Sequence, residues 1–579
     1  ASALHLLDDI DEISPGNETT STLRGVIAFL QGDDKKADEM LSKAVDPEIA
    51  GERTLEIFAA NQFRLNRPYR VVKLLKDRVK DTTDVNTLAL YGMAAMSADM
   101  RKEGEAALRK AIDLAPERVR FSVVLANYLA TEKPDEAAKI LETAYKVAPA
   151  DLAVRLALVN EYTRMGKTKA LQQFIDELQA SDPDSVVTAL TLATYDLRIG
   201  DFDAAAAAYQ KAIDAGSAGN YARFGLAQVR LLQKQYADAE SIYRSIADAE
   251  PDTLPAYVGI LQSYLDRGMK SEGIAELTRL GQDEGRKAAL VALSGYFSSV
   301  RDDDEAEKFL AQAATGNQDA QYWKSVNANL YLRKARRSLA QRNYEEARKD
   351  IFTALSSYPA NRQLLGVLAQ IEIQSGSLRE ARKVLDQMEQ MHPGAQIVDV
   401  REGDLAMAQK DYGTARTRYE AAWKKEPEDR LGQGLYSAYE ALGLEDKADA
   451  FVREWIKAIP DSVVARVNLA QRYVANQDID KAISVYKDVL ARIPDSETAL
   501  NNIAWLYLQQ GQVQSALDAG ERAYRSAPKN GYVADTYGWM LFKAERLQEA
   551  EAMLSRAVSL VADLEIQGHL DDVRKAMGK

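Results

Sequence analysis

Prolines in the second half of the chain recur at a nearly constant spacing, and no other feature restricts the possible folds as strongly. They are Pro359, Pro393, Pro427, Pro460, Pro494 and Pro528, separated by 34, 34, 33, 34 and 34 residues. A fold with one central core has no reason to place proline so regularly. A repeated unit of two antiparallel helices, closed by a proline that blocks helical continuation, explains this regular spacing. Because Pro116, Pro149, Pro183 and Pro251 extend the spacing upstream, the repeat covers most of the 579 residues.

Small residues recur in step with the prolines and predict where the two helices of a unit meet. Four alanines each precede a proline by 12 residues: Ala415, Ala448, Ala482 and Ala516. Twelve residues before most alanines of this series lies another small residue, as at Ala335, Ala369, Gly403, Ala470, Ala504 and Gly538. Glycines such as Gly200 and Gly511 stand between the two positions and indicate a left-handed turn that ends the first helix. The unit is therefore helix, turn, helix and proline.

This 34-residue pattern resembles the tetratricopeptide repeat (TPR) family, most closely from Leu500 to Pro528. The resemblance implies an all-α fold, a right-handed solenoid of about 16 helix-turn-helix repeats. We expect a lead-in helix or tail over 1–20, about nine repeats over 21–316, some of them degenerate, and about seven over 328–563. Residues 564–579 form a capping helix, since Leu and Ile alternate there with Asp, Arg and Lys.

One irregularity interrupts the spacing. The distance from Ala306 to Ala335 is 29 residues, whereas the corresponding distance from Ala381 to Gly403 is 22. Seven extra residues therefore lie within 317–327. They predict a joint between two blocks of repeats, and they amount to two helical turns if they extend the next helix.

Composition excludes several classes of function. The chain has no Cys and three His, which removes disulfides and thiolate metal sites and leaves little for an imidazole site, so we expect no metal and no cofactor. The net charge of −13 disfavours nucleic acid as a partner. No window is apolar enough to span a membrane, and any targeting peptide or lipid-bearing cysteine would lie outside this sequence. Acidic runs such as 302–305 are interpreted as solvated helix starts.

The TPR resemblance implies that the residue after the small residue of each first helix points into a groove, as do the residues three before and four after that small residue. Amides recur at that position, and two tryptophans end the series. The predicted partner-binding residues are Gln228, Gln262, Arg336, Gln370, Gln471, Asn501, Trp505, Trp539 and Phe542. Burying an unpaired amide costs about 1–3 kcal/mol, so these amides are either solvated or offered to a ligand. For the tryptophans, the alternative is that they only seal adjacent repeats.

The chain is acidic overall, but basic residues form a cluster between Arg333 and Arg342. Arg333, Arg336 and Arg337 are a candidate site for an anion or an acidic partner. The alternative is a solvated helix face, or contact with neighbouring acids.

The residues thus favour a non-catalytic scaffold that binds protein partners, either peptide segments or folded subunits. Residues 501–507 and 535–541 are similar to the last repeats of long bacterial TPR proteins of exopolysaccharide (PEP-CTERM/exosortase-type) biosynthesis and export. That resemblance implies a periplasmic or outer-membrane location, with polysaccharide as a further partner. Two alternatives stay open: the substrate-recognition region of a larger glycosyltransferase-type enzyme, suggested by Asn468 and Asn502, and a cytoplasmic regulatory scaffold.

Overall fold

The computed structural model describes residues 2–13, 18–44, 51–216, 219–282, 286–316, 318 and 320–579. Within these ranges every regular element is an α-helix and none is a strand. Of the 35 helices, 32 form 16 consecutive pairs, and the other three are a leading helix, one short helix and the last helix. The predicted all-α solenoid of about 16 repeats with a C-terminal capping helix is therefore confirmed.

The structure divides into two compact units, 1–398 and 399–579, and the boundary falls inside α25. The first 24 helices are α1 Ser2–Ile13, α2 Glu18–Leu30, α3 Asp34–Ala44, α4 Glu52–Arg64, α5 Pro68–Leu75, α6 Arg78–Asp81, α7 Val85–Ser97, α8 Arg101–Leu114, α9 Arg120–Leu129, α10 Pro134–Val147, α11 Leu152–Arg164, α12 Thr168–Ser181, α13 Val186–Ile199, α14 Phe202–Asp214, α15 Gly219–Leu232, α16 Tyr236–Ala249, α17 Leu254–Asp266, α18 Lys270–Gln282, α19 Lys287–Ser299, α20 Asp303–Ala314, α21 Gln321–Ala340, α22 Tyr344–Ser357, α23 Arg362–Gln374 and α24 Leu378–Met391.

The remaining eleven helices complete the array. They are α25 Gln396–Ala408, α26 Tyr412–Lys425, α27 Asp429–Ala441, α28 Glu445–Ala458, α29 Val463–Ala475, α30 Ile479–Arg492, α31 Glu497–Gln509, α32 Val513–Ser526, α33 Gly531–Lys543, α34 Leu547–Leu560 and α35 Leu564–Ala576. In each unit, we call the surface formed by the first helices of its pairs the first-helix face.

The two helices of a pair approach each other closely at the small residues that the sequence singles out. Ala335 and Ala504 are fully buried. A Cβ atom added at Gly538 would lie 2.7 Å from Leu554 Cγ, and one added at Gly403 would lie 2.5 Å from Tyr419 Cε1. No larger side chain fits at these two positions without displacing the second helix. The recurring small residues are therefore a packing requirement.

Helix α21 is longer than its counterparts, with 20 residues where the neighbouring first helices α19 and α23 have 13. It begins at Gln321, so residues 321–327 add two turns at its start. Tyr322 and Trp323, in these turns, pack against the core of the preceding repeats, and Trp323 Nε1 donates to the Leu310 carbonyl oxygen at 3.1 Å. Residues 317 and 319 lie outside the described residues. The joint predicted at 317–327 lies within the first unit and stays a prediction.

Candidate partner-binding groove

The predicted glutamines of the first-helix face are accessible at three of four positions. Gln228, Gln262 and Gln471 are exposed, although the small or apolar residue before each one is buried. Gln262 Nε2 donates to Asp266 Oδ1 at 2.6 Å, whereas Gln228 and Gln471 bond to no residue of the described ranges. Gln370 is half-buried and already makes an interaction within the protein. Gln228 and Gln471 therefore offer free amide groups to solvent or to a partner.

Trp505, on α31, is half-buried, and its polar group forms a hydrogen bond with the next repeat. Its indole Nε1 donates to Thr536 Oγ1 on α33 at 3.1 Å. The ring centroid lies 6.3 Å from that of His569 on α35. The side chain therefore contacts two successive first helices, α31 and α33, and the capping helix α35 of the second unit.

Trp539, on α33, lies among three other side chains. Its ring stacks on His569 with centroids 4.1 Å apart and 25° between the planes. Phe542 lies 5.1 Å away, and Lys543 Nζ is 4.4 Å from the indole centroid, in cation–π distance. Little of the ring is left for a ligand's ring to stack on. The indole N–H, by contrast, donates to no residue of the described chain. We call Trp505, Trp539, Phe542 and His569 the aromatic site.

His569 was not predicted to belong to this site. Its Nδ1 lies 2.8 Å from Oδ1 of Asp535, which is 7% exposed. The hydrogen bond to the Asp535 carboxylate raises the pKa of the imidazole, although burial acts against it. Asn501, Asp535 and His569 are spaced by 34 residues. The repeat spacing, continued into the cap, is the signal that would have found it.

Asn501, on α31, is predicted to bind a partner and carries an unused acceptor. Its side-chain Oδ1 is buried and has no hydrogen-bond partner in the structure. Such an atom is costly in a folded protein unless water or a ligand donates to it. Because this oxygen is buried, the free N–H of Trp539 is the one of these two polar groups that a partner can reach.

The basic cluster on α21 is largely neutralised by the preceding repeat. Arg333 and Arg337 both pair with Asp303, the latter at 2.6 Å, and Asp303 is 7% exposed. Lys334 Nζ lies 2.5 Å from Glu307 Oε1. Asp303 is thus not the solvated helix start that was expected. Arg336 is exposed and pairs with no described residue, so it is the member of the proposed anion site that remains available.

No catalytic or metal-binding arrangement stands out among the described residues. No group of three or more His, Asp or Glu side chains could hold a metal ion there. His392 is 3% exposed, and its Nε2 lies 2.6 Å from the Ala360 carbonyl oxygen, which fits a structural role. Within the described ranges, no helix has the length and apolarity needed to cross a membrane.

Several chains of solved structures are similar to this chain at low sequence identity. The chain is similar to the APC/C hetero-tetramer Cut9-Hcn1, at 12% identity over 88% of this chain and 98% of that chain, with a TM-score of 0.33. It is similar to a tetratricopeptide repeat protein from Parabacteroides merdae ATCC 43184, at 17% identity over 43% of this chain and 99% of that chain, with a TM-score of 0.32. It is also similar to the structure of Naa15/Naa10 bound to HypK-THB, at 13% identity over 97% of this chain and 96% of that chain, with a TM-score of 0.29.

The comparison of sequences identifies the repeat. A family model described as tetratricopeptide repeat matches residues 190–252 and 467–531, and a second model of the same description matches 338–401. No curated protein sequence matches the chain. The matched segments fall in both units and share the 34-residue unit of two helices with the rest of the array. Residues 190–252, 338–401 and 467–531 are therefore tetratricopeptide repeats.

Proposed function

We propose that the chain is a non-catalytic scaffold that binds segments of partner proteins along its first-helix face. One observation carries this proposal: free amides stand directly beside fully buried small residues, as with Gln228 next to Ala227 and Gln471 next to Ala470. Amides at these positions add nothing to the packing of a repeat. They supply both a donor and an acceptor for the backbone of a bound segment.

Within this face, the main partner site of the proposal lies around the aromatic site, with Gln471 and Asn501. The free N–H of Trp539 can donate to a carbonyl oxygen of a peptide backbone, and the exposed amide of Gln471 supplies both a donor and an acceptor. A sugar ring would need an open indole face, and Lys543 and His569 already lie over the Trp539 ring. The contacts therefore favour a peptide over a polysaccharide as the primary ligand.

Site-specific photo-crosslinking in the source organism tests the proposal. A photoreactive phenylalanine analogue is placed at Gln228 and at Gln471. The controls carry it at Ser241 and Ser484, which are exposed on the second helices of the same two repeats. We expect the same partner proteins to be captured from both first-helix positions and not from the controls. Equal capture from all four positions, or none from the first-helix positions, would contradict the proposal.

A finer proposal is that these partners belong to a bacterial exopolysaccharide assembly or export system, in the periplasm or at the outer membrane. It is supported by the similarity of residues 501–507 and 535–541 to the last repeats of such proteins. Mass spectrometry of the crosslinked proteins tests it directly. Cell-envelope polysaccharide enzymes or exporters would support it. Capture of cytoplasmic regulators alone would favour a cytoplasmic scaffold, and a catalytic domain appended to the full-length chain would favour a glycosyltransferase-type enzyme.

A further inference from the structure

An apolar pocket opens on the first-helix face between α4, α7 and α9, the first helices of three consecutive repeats. Its volume is about 320 Å³. Ala89 and Phe121, each 2% exposed, lie at its base, and the half-buried side chains of Leu90, Met93 and Val124 line it. Covering such a surface with an apolar side chain removes it from water and is favourable. We call this the N-terminal pocket.

Two charged side chains of opposite sign, neither of them in an ion pair, border the pocket. Glu56, on α4, and Arg120, at the start of α9, are both exposed. Neither forms an ion pair with any residue of the described ranges, and they do not pair with each other. The Arg120 guanidinium lies 4.8 Å from the ring centroid of Phe121, which holds it beside the apolar base. One side of the pocket is therefore negative and the opposite side positive.

We infer that the N-terminal pocket binds a protein segment with an apolar side chain between a basic and an acidic residue. The apolar side chain fills the pocket, the basic residue lies toward Glu56, and the acidic residue lies toward Arg120. The inference rests on the proposed function, since it assumes that the first-helix face binds protein segments. A segment with like charges on both sides would place one of them against a charge of its own sign, which is the main source of selectivity.

The spacing of the partner's charges follows from the helix packing. Neighbouring packed helices lie roughly 8–10 Å apart, so α4 and α9 are separated by about two such steps. An extended chain covers roughly 3.3 Å per residue, so the basic and acidic residues stand about six positions apart. The apolar residue then lies midway, about three positions from each charge. This pattern defines the probes below.

Four blocked, fluorescently labelled peptides of equal length are the probes. Three have Leu at the centre, flanked three residues away on each side by Lys and Glu, by two Lys, or by two Glu. The fourth is the Lys and Glu peptide with Ala in place of the central Leu. By fluorescence anisotropy with the full chain, we expect the Lys and Glu peptide to bind tightest and its Ala version about tenfold more weakly.

Charge reversal at the two borders supplies the decisive comparison. In Arg120→Glu the preference should move to the peptide with two Lys, and in Glu56→Arg to the peptide with two Glu, each by about tenfold. The matched controls are Lys102→Glu and Glu52→Arg, which make the same charge changes at exposed positions outside the pocket. Because these controls alter the net charge equally, they cancel non-specific attraction to the acidic chain.

The outcomes separate this inference from the proposed function. Equal binding of all four peptides, or a preference that changes as much in the controls as in the pocket variants, would overturn the inference. If crosslinks still form from Gln228 and Gln471 in that case, the scaffold proposal stands and only the identity of this segment is wrong. Thermal unfolding of each variant shows that the fold is intact, as expected for exposed residues.

Discussion

The aromatic site and the N-terminal pocket occupy the same face of the repeat but use it differently. In the aromatic site, Trp505 donates to Thr536 of the next repeat, and Trp539 stacks on His569 of the capping helix. In the N-terminal pocket, Glu56 and Arg120 have no ion-pair partner within the described ranges. A position on the first-helix face therefore does not assign a role by itself. The contacts of each side chain decide whether it stabilises the array or remains free for a partner.

The largest expected effect comes from breaking the packing of the cap that covers the aromatic site. Leu570, on α35, is 3% exposed, whereas Leu564 on the same helix is 92% exposed. We expect Leu570→Asp to lower the free energy of unfolding of the cap by about 4 kcal/mol, because it buries an unpaired charge. Hydrogen exchange over α33 to α35 measures the loss as local opening. Leu564→Asp is the control and should leave exchange unchanged; equal effects of the two variants would show that α35 does not pack as described.

The two tryptophans should separate stability from binding. We expect Trp505→Ala to lower the free energy of unfolding of the second unit by about 2 kcal/mol, since its ring is half-buried and its N–H is engaged. We expect Trp539→Ala to lower stability as well, since its ring stacks on His569, but also to weaken a crosslinked partner's binding by about 2 kcal/mol, because its N–H is free. Denaturant titration and partner titration measure the two effects, with the exposed Tyr532→Ala as control. If both variants lose stability and neither loses affinity, the partner site lies elsewhere, and Arg336 becomes the next candidate.

The pairing of His569 with Asp535 should make the cap sensitive to pH. Because the pKa of His569 is raised, the stabilisation is complete at acidic pH and is lost as the pH rises through the raised value. Glu565 and Asp572, on the same helix as His569, act in the same direction. We expect Asp535→Asn to bring the His569 pKa back toward about 6.5, as measured by NMR titration of the imidazole. An unchanged pKa in that variant would show that the ion pair does not form.

The smallest effect is expected at the borders of the N-terminal pocket. Removing either charge, as Glu56→Gln or Arg120→Gln, should change the free energy of unfolding by less than about 0.5 kcal/mol, because both side chains are exposed and unpaired. Asp303→Asn provides the contrast, since its buried carboxylate pairs with Arg333 and Arg337 and its loss should cost several times more. Comparable losses in all three variants would mean that the two border charges support the fold after all.

The sequence predicts the array well because each repeat contacts mainly its neighbours, so local spacing determines most of the packing. Gly538 and Ala504 were expected at the helix contacts and are found there. The pairing of Arg333 with Asp303 was not assigned, because the two residues are 30 positions apart on different repeats and depend on how those repeats rotate against each other.

The free charges of the N-terminal pocket were missed for another reason. Glu56 belongs to a degenerate repeat that lacks a closing proline, so the spacing there gives no reference frame for a groove position. Arg120 is the first residue of its helix, outside the positions that the family resemblance places in the groove. His569 belongs to no histidine motif, although the 34-residue spacing from Asp535 reaches it. Glu56 and Arg120, by contrast, are found only when the helices are placed in space.

Hydroxyl-radical footprinting of the chain with a captured partner tests most directly whether the first-helix face is the binding surface. Tyr128, on the first helix α9, is 42% exposed, and Phe352, on the second helix α22, is 54% exposed, so both rings react in the free chain. With a partner bound, we predict that Tyr128 or Trp539 loses reactivity severalfold while Phe352 keeps it. Protection of Phe352 with both Tyr128 and Trp539 unchanged would place the partner on the second helices and contradict the account.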